Sequence, residues 1–355
     1  MRIIQLLPTL SYGDGVGNDT LVIDKIIKEL GYDTMIYAEN IDSRVDQKLV
    51  KRVDKMPQLH KEDILIYHLS TGTILNEKLK DYPCRKMVVY HNVTPAHYFK
   101  EYSHISAELC ESGRKGIALL RDVADYCWAD SEYNKHELLE AGYKCKIDVV
   151  PIIVPFDDYK KEPDATIVQK YQDNWTNIVF VGRIAPNKKQ EDVIKTFYYY
   201  KKYINPKSRL FLVGSYGGME RYHSRLKKYI EELELEDVYM TGHIKFNEIL
   251  AYYKVADVFL CMSEHEGFCI PLLEAMCFDV PVVAYSYTGV KETLGYSGLH
   301  LEQKNCIYAA EMINLLVTNA ELRNKVIELQ RKRLDDYAYE TTKGKIVNNL
   351  KGFIG

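Results

Sequence analysis

The sequence contains no CxxC pair. Its 8 cysteines stand singly at 84, 110, 127, 145, 261, 269, 277 and 306, without the close histidine partners that zinc spacing requires, so a structural zinc ribbon is excluded and a reducing cytoplasm fits best. It also lacks any run of about 18 apolar residues, which excludes a membrane-spanning helix. The opening MRIIQLLPTLSYGDG passes from apolar run to turn too quickly, and with too little basic charge, for a signal peptide. Positive charge is not in excess: 47 Lys and Arg against 50 Asp and Glu leave a formal charge of -3, whereas a protein that coats nucleic acid needs a clear surplus of cations. No nucleic-acid partner is expected. There is no repeat of solenoid length and no low-complexity tract. The glycines of SYGDGVGND do not follow the GxGxxG order, so a nicotinamide cofactor is not indicated.

What is present is a long globular chain. With 355 residues, 46% hydrophobic and 27% charged, two domains with substantial cores are expected. The 29 tyrosines suit amphipathic packing at core edges. RIIQLL (2–7), a glycine-rich turn, TLVIDKIIKEL (20–30) at helical spacing and TMIYA make a βαβ unit. DILIYHLS, KMVVYHN, YCWADS and IDVVP continue the strand series. SEYNKHELLEAG lies between the last two, with Ser131 placed as its N-cap and Gly142 as its C-cap. PIIVPFDDYKKEPDA (151–165), with three prolines and a run of charges, reads as a linker. A second series then follows, with strands NIVFVGRI, RLFLVGS, VYMTGHI, DVFLCMS and VPVVAYS. The expected fold is α/β, two doubly wound Rossmann-like domains, over 1–160 and 161–335. A terminal helix, 336–355, is expected to pack back toward the first domain. Ligands should bind at the carboxyl ends of the strands, in a cleft between the domains.

Three stretches carry candidate chemistry. In SEHEGFCIPLLEAMC, Glu266 sits in a loop after a strand, Pro271 suits a first helical turn, and Glu274 falls one turn further in. The backbone N–H groups of Gly267, Phe268, Cys269 and Ile270 would then face a phosphate. Carboxylates beside an anion site suit vicinal sugar or ribose hydroxyls, which offer paired donors. Phosphate and polyol together describe a nucleotide sugar. The alternative is that both acids are solvated residues favoured by the helix dipole. In VGRIAPNKKQEDV, Arg183 and Lys188 follow Gly182 at the end of a strand, where two converging cations suit a diphosphate; an exposed surface loop is the other reading. Gly13, Gly15 and Gly17 let a ligand approach the backbone closely or simply form a tight turn. His91, in VVYHNVTP, is either a ligand contact or a hydrogen-bonded core histidine.

At these residues the chain resembles the GT-B fold glycosyltransferases of family GT4, from end to end. The family's EX7E element is similar to Glu266 through Glu274, its GRxxxxK element to Gly182, Arg183 and Lys188, its glycine loop to GDGVGN, and its strand-end histidine to His91. TGHI, with Gly242, His243 and Ile244, resembles the segment lining the base, and TGVKETL (288–294) the phosphate side. One departure is Lys189, where many members have glycine, so the register of the two lysines stays open. The HNVTP continuation is similar to a bacterial subgroup building surface polysaccharides.

The resemblance implies a retaining hexosyltransferase that moves sugar from a nucleoside diphosphate to a hydroxyl of a glycan or lipid-linked glycan, with no metal and no further cofactor. No DxD pair stands after a strand; Asp157 and Asp158 lie in the linker. Arg183 and Lys188 would stabilise the leaving diphosphate, Glu266 the sugar hydroxyls, Glu274 the ribose, and His91 the transferred sugar. Gly15 and Gly17 would lie beside the diphosphate or the acceptor. The segment 95–120 is where an acceptor, or the inner membrane surface, would be touched. Two rivals are a sugar-nucleotide epimerase or phosphorylase of the same fold and a catalytically silent partner subunit.

Overall fold

The computed structural model describes residues 1–355. The chain forms two compact units, one built from Met1–His97, Ile105–Val154 and Tyr337–Gly355, the other from Tyr98–His104 and Pro155–Asp336.

The first unit holds a seven-stranded parallel sheet in the order β3-β2-β1-β4-β5-β6-β7. Its strands are β1 (Arg2–Leu10), β2 (Asp33–Ile41), β3 (Val50–Arg52), β4 (Ile64–Leu69), β5 (Arg85–Tyr90), β6 (Tyr126–Ala129) and β7 (Lys146–Val149). Because helices cover both faces, the central strands are apolar on both, and every residue of β4 is buried. Alternate residues feed different cores. Leu65, Tyr67 and Val88 join one cluster. Ile64, Ile66, Met87 and Val89 join the other, with Ile23, Ile26 and Ile27 of the helix Gly15–Glu29. The terminal helix Tyr339–Ile354 adds Ile346 and Leu350 to that second cluster, each worth roughly 1.5–3 kcal/mol of burial. Arg85 anchors its end, donating to the carbonyls of Phe353 and Ile354 at 2.6 and 3.0 Å.

Two local differences from the sequence reading matter. The first helix begins at Gly15 rather than near residue 20, because Asp14 caps it by accepting from the Gly17 N–H. Tyr98–His104 belongs to the second unit, where the Tyr102 ring meets Tyr222 edge-on. The Ser131 cap is as expected: its hydroxyl accepts from the Asn134 N–H at 3.1 Å.

The second unit holds a six-stranded parallel sheet in the order β10-β9-β8-β11-β12-β13. Its strands are β8 (Thr176–Val181), β9 (Ser208–Val213), β10 (Val238–Gly242), β11 (Val258–Cys261), β12 (Val282–Tyr285) and β13 (Leu299–Leu301). Strand order reverses between β1 and β4 in one sheet and between β8 and β11 in the other. At such points the loops leaving neighbouring strands part, opening a crevice at their carboxyl ends. No helix is long and apolar enough to cross a membrane.

Candidate functional site

The second unit gathers its candidates at the β8/β11 reversal. Gly182 follows β8 at φ 150° and Gly214 follows β9 at φ 151°. A Cβ on Gly214 would lie 2.0 Å from the Gly182 carbonyl oxygen, so the two backbones touch as only glycine allows. Arg183 then leaves the sheet edge and donates through Nη2 to the Gly217 carbonyl at 3.0 Å. A single 3-10 turn, Pro186–Lys188, brings Lys188 round, where its Nζ donates to Glu266 Oε2.

The loop after β11 is laced to that turn by backbone. Glu264 N–H donates to the Asn187 carbonyl at 2.8 Å, and the Asn187 amide donates to the His265 carbonyl at 3.0 Å. Glu266 N–H is accepted by Thr288 Oγ1 at 3.1 Å, and Gly289 N–H returns to the Glu266 carbonyl at 3.0 Å. Here too glycine is obligatory, since a Cβ on Gly289 would stand 2.3 Å from the Gly267 oxygen. The Lys188 side chain is 22% exposed and that of Glu266 8%. Burial pulls the Lys188 value down, but the Glu266 carboxylate outweighs it and the net shift is upward, so the lysine is a cation.

Cys269 takes the left-handed conformation, φ 73°, at the start of the helix Ile270–Cys277, whose first turn accommodates Pro271. Glu274 is one turn in. Its two oxygens accept from different tyrosines, Oε1 from Tyr159 Oη and Oε2 from Tyr253 Oη, both at 2.6 Å. Burial raises its pKa against these two hydrogen bonds. In this state the oxygens expected to meet a ribose are held by tyrosine hydroxyls. Tyr159 comes from the segment read as a bare linker, in a 3-10 turn over Phe156–Lys160, and no spacing in the sequence pointed to it.

The two lysines occupy different surroundings. Lys189 adopts φ 53°, ψ 49°, a left-handed conformation that explains why glycine suits this position. Its Nζ lies 3.4 Å from Glu264 and 3.7 Å from Glu191, while Lys304 reaches Glu264 at 2.9 Å and Asp192 at 2.6 Å. Lys189 therefore belongs to a mixed charge network, and Lys188 faces the acid of the EX7E element. Gly242, at φ 70°, ends β10, with His243 exposed and Ile244 half-buried beyond it.

In the first unit, Gly15 and Gly17 are helix residues after β1. Gly17 is buried against the chain, where a Cβ would meet the Ser11 carbonyl oxygen at 2.5 Å, so it serves a close backbone contact. His91 follows the end of β5. Its ring is wholly buried, 0% exposed, with Nδ1 3.0 Å from Asp130 Oδ2 and Nε2 2.9 Å from His68 Nδ1. In this state both nitrogens are engaged inside the unit. The apolar run DILIYHLS held the missed signal, a histidine inside a buried strand.

Known proteins bear on this geometry. Residues 166–333 match the family profile of the glycosyl transferases group 1. The chain is 30% identical over 212 residues to an uncharacterized glycosyltransferase of Methanocaldococcus jannaschii, covering 58% of this chain and 52% of that one. It is 25% identical over 241 residues to the capsular polysaccharide biosynthesis glycosyltransferase CapM of Staphylococcus aureus, covering 62% and 60%. The chain thus spans little more than half the length of these curated relatives. The Anabaena protein HepE, solved in complex with UDP-glucose, superposes with a TM-score of 0.74 at 16% identity, over 99% of this chain and 100% of that one. At that identity the likeness speaks for the fold, GT-B. Residues 166–333, which match the profile of the glycosyl transferases group 1, hold the paired Lys188 and Glu266.

Proposed function

We propose that the protein is a retaining hexosyltransferase that takes sugar from a nucleoside diphosphate sugar and works without a metal. The observation that carries this reading is the Lys188–Glu266 pair at the β8/β11 reversal, with Arg183 in the loop after β8 and the helix Ile270–Cys277 following the loop after β11. A diphosphate entering there meets a lysine ammonium, a guanidinium and a helix N-terminus. As the glycosidic bond lengthens, charge gathers on the leaving phosphate, and these preorganised donors stabilise it more than they stabilise the intact donor. Glu266 Oε1 accepts from sugar hydroxyls while Oε2 stays with Lys188. Glu274 accepts from the ribose once Tyr159 turns aside. The acceptor hydroxyl attacks from the leaving-group face and gives its proton to a donor phosphate oxygen, so no protein nucleophile is needed.

The likeness to CapM supports an acceptor of glycan or lipid-linked glycan type. The helix His104–Leu120 exposes Ile105 and Leu109, apolar side chains available to a lipid-borne acceptor at the inner membrane face, and we place the protein in the cytoplasm. A silent partner would have lost cation or acid positions, whereas Arg183, Lys188, Glu266 and Glu274 are all present. The test is a panel of UDP-, GDP- and dTDP-sugars in thermal unfolding. A true donor at about 100 times its Kd adds about 2.7 kcal/mol to folding, and a panel in which none raises the melting temperature counts against the reading.

A further inference from the structure

Beyond that reading, the first unit contains a line of hydrogen bonds whose directions can be counted. It runs from the Thr20 carbonyl through the Gln5 amide, His68 and His91 to Asp130. Gln5 Nε2 donates to the Thr20 carbonyl at 3.1 Å, which leaves Gln5 Oε1 as the acceptor facing His68 Nε2 at 2.9 Å. His68 Nδ1 faces His91 Nε2 at 2.9 Å, and His91 Nδ1 faces Asp130 Oδ2 at 3.0 Å. Thr20 lies on the helix after β1, Gln5 and His68 lie in β1 and β4, and His91 and Asp130 directly follow β5 and β6, neighbouring strands of one sheet. The line therefore stitches the carboxyl edge of that sheet together.

Three contacts in this line need a proton from an imidazole: the one to Gln5, the one between the rings, and the one to an ionised Asp130. Two neutral imidazoles carry only two N–H groups. Turning the Gln5 amide over would put its oxygen against the Thr20 carbonyl, so it offers no escape. We propose that His68 and Asp130 are positioning residues that trap a third proton and hold His91 as a buried imidazolium, with His68 its neutral Nε2–H partner. The charge is balanced: one proton on the histidine pair faces the Asp130 carboxylate.

Burial raises the Asp130 pKa, and the charge and hydrogen bond of His91 oppose that shift. Burial alone would discharge His91, but the carboxylates of Asp130, Asp19 and Asp14 outweigh it and raise its pKa. Burial, with the His91 charge added, holds His68 well below the ordinary value. Asp19 lies on the helix after β1, accepts from the Ile153 N–H at 3.0 Å, and is itself pushed by burial up to about 7. Asp14 caps that helix.

Asp19, His68 and His91 also stand close enough to hold a cation. The geometry favours the proton. The rings are parallel within 4° and their centroids are 5.2 Å apart, little more than the nitrogen separation plus one ring radius on each side. The nitrogens thus point at each other along a line. Metal ligands would instead aim at a shared third point.

The experiment is histidine-selective 15N NMR of the full chain from about pH 6 to pH 9, bracketing the free imidazole value, with His68→Gln and His91→Gln used to assign the two rings. The expected result is a His91 protonated on both nitrogens well above the ordinary histidine value, beside a His68 that stays the neutral Nε2–H form. Asp130→Asn removes the charge but keeps the shape, and should return the His91 titration to the ordinary range or below. A His91 that loses its second proton near the ordinary value in the unaltered chain overturns the proposal. So does one equivalent of zinc in the purified protein that His68→Gln removes. A final arm rests on the glycosyltransferase reading: the alkaline limb of the kcat profile should move toward acid in Asp130→Asn. The NMR arm needs no substrate, so failure of that reading and failure of the proton count are distinguishable.

Discussion

Lys188 Nζ donates to Glu266 Oε2, which makes the cation after β8 and the acid after β11 a single paired unit. Both side chains are largely withdrawn from water, so removing one partner strands the other. Lys188→Ala should destabilise the fold by roughly 3 kcal/mol, the order expected when a buried pair is broken from one side. Lys188→Met with Glu266→Gln should recover most of that, because no charge is left unmatched. Urea unfolding of the single and double variants measures it; strictly additive losses would show that the two side chains do not act as a pair.

Tyr159 occupies one oxygen of Glu274 in this state. If a ribose hydroxyl takes its place, Tyr159→Phe removes a competitor, and nucleoside diphosphate affinity should hold or rise slightly. Loss of affinity comparable to that of Glu274→Ala would instead make Tyr159 part of the bound-state site.

Glu274 also gives a pH signature. Its pKa is raised above 4.5 by burial, so the folded state holds this proton more tightly than the unfolded chain does. Between 4.5 and its raised value, its contribution to stability therefore falls as pH rises. Glu274→Gln should remove that slope, read as the difference between the two chains in urea unfolding across mildly acidic pH. Parallel curves would contradict the burial argument.

The cations should separate cleanly. Arg183→Ala is expected to lower kcat about 100-fold with a smaller change in donor Kd, as when one preorganised donor is lost from a charge-stabilising site. Lys189→Ala should be mild, and Lys189→Gly neutral or stabilising by up to about 1 kcal/mol, because it relieves the left-handed conformation. A crippled Lys189→Ala would put the diphosphate on the other lysine.

Much of the fold was legible in the sequence. Short apolar strands alternating with helical spacing specify parallel sheets covered on both faces, and Ser131 marked its helix start correctly. The beginning of the first helix was misplaced because Gly15 and Gly17 read as turn residues, whereas the Asp14 cap draws them into the helix. Tyr98–His104 could not be assigned to the second unit, since the ring contact between Tyr102 and Tyr222 leaves no periodic trace in the sequence. At the site, loop residues following strands were readable as candidates because strand ends in a parallel sheet share one edge. Their pairings were not. That Glu274 is held by Tyr159 and Tyr253, and His91 by His68 and Asp130, depends on contacts between residues far apart in sequence.

The most direct test is calorimetric titration of the full chain with UDP, with GDP and with dTDP in the presence of EDTA. The account predicts that one of them binds at one site per chain without added metal. Glu274→Ala should weaken that binding by roughly 1–3 kcal/mol, the range for a lost charged hydrogen-bond partner, while Glu266→Ala leaves it nearly unchanged and slows transfer. Binding that requires magnesium or manganese, or equal losses in both variants, would contradict it.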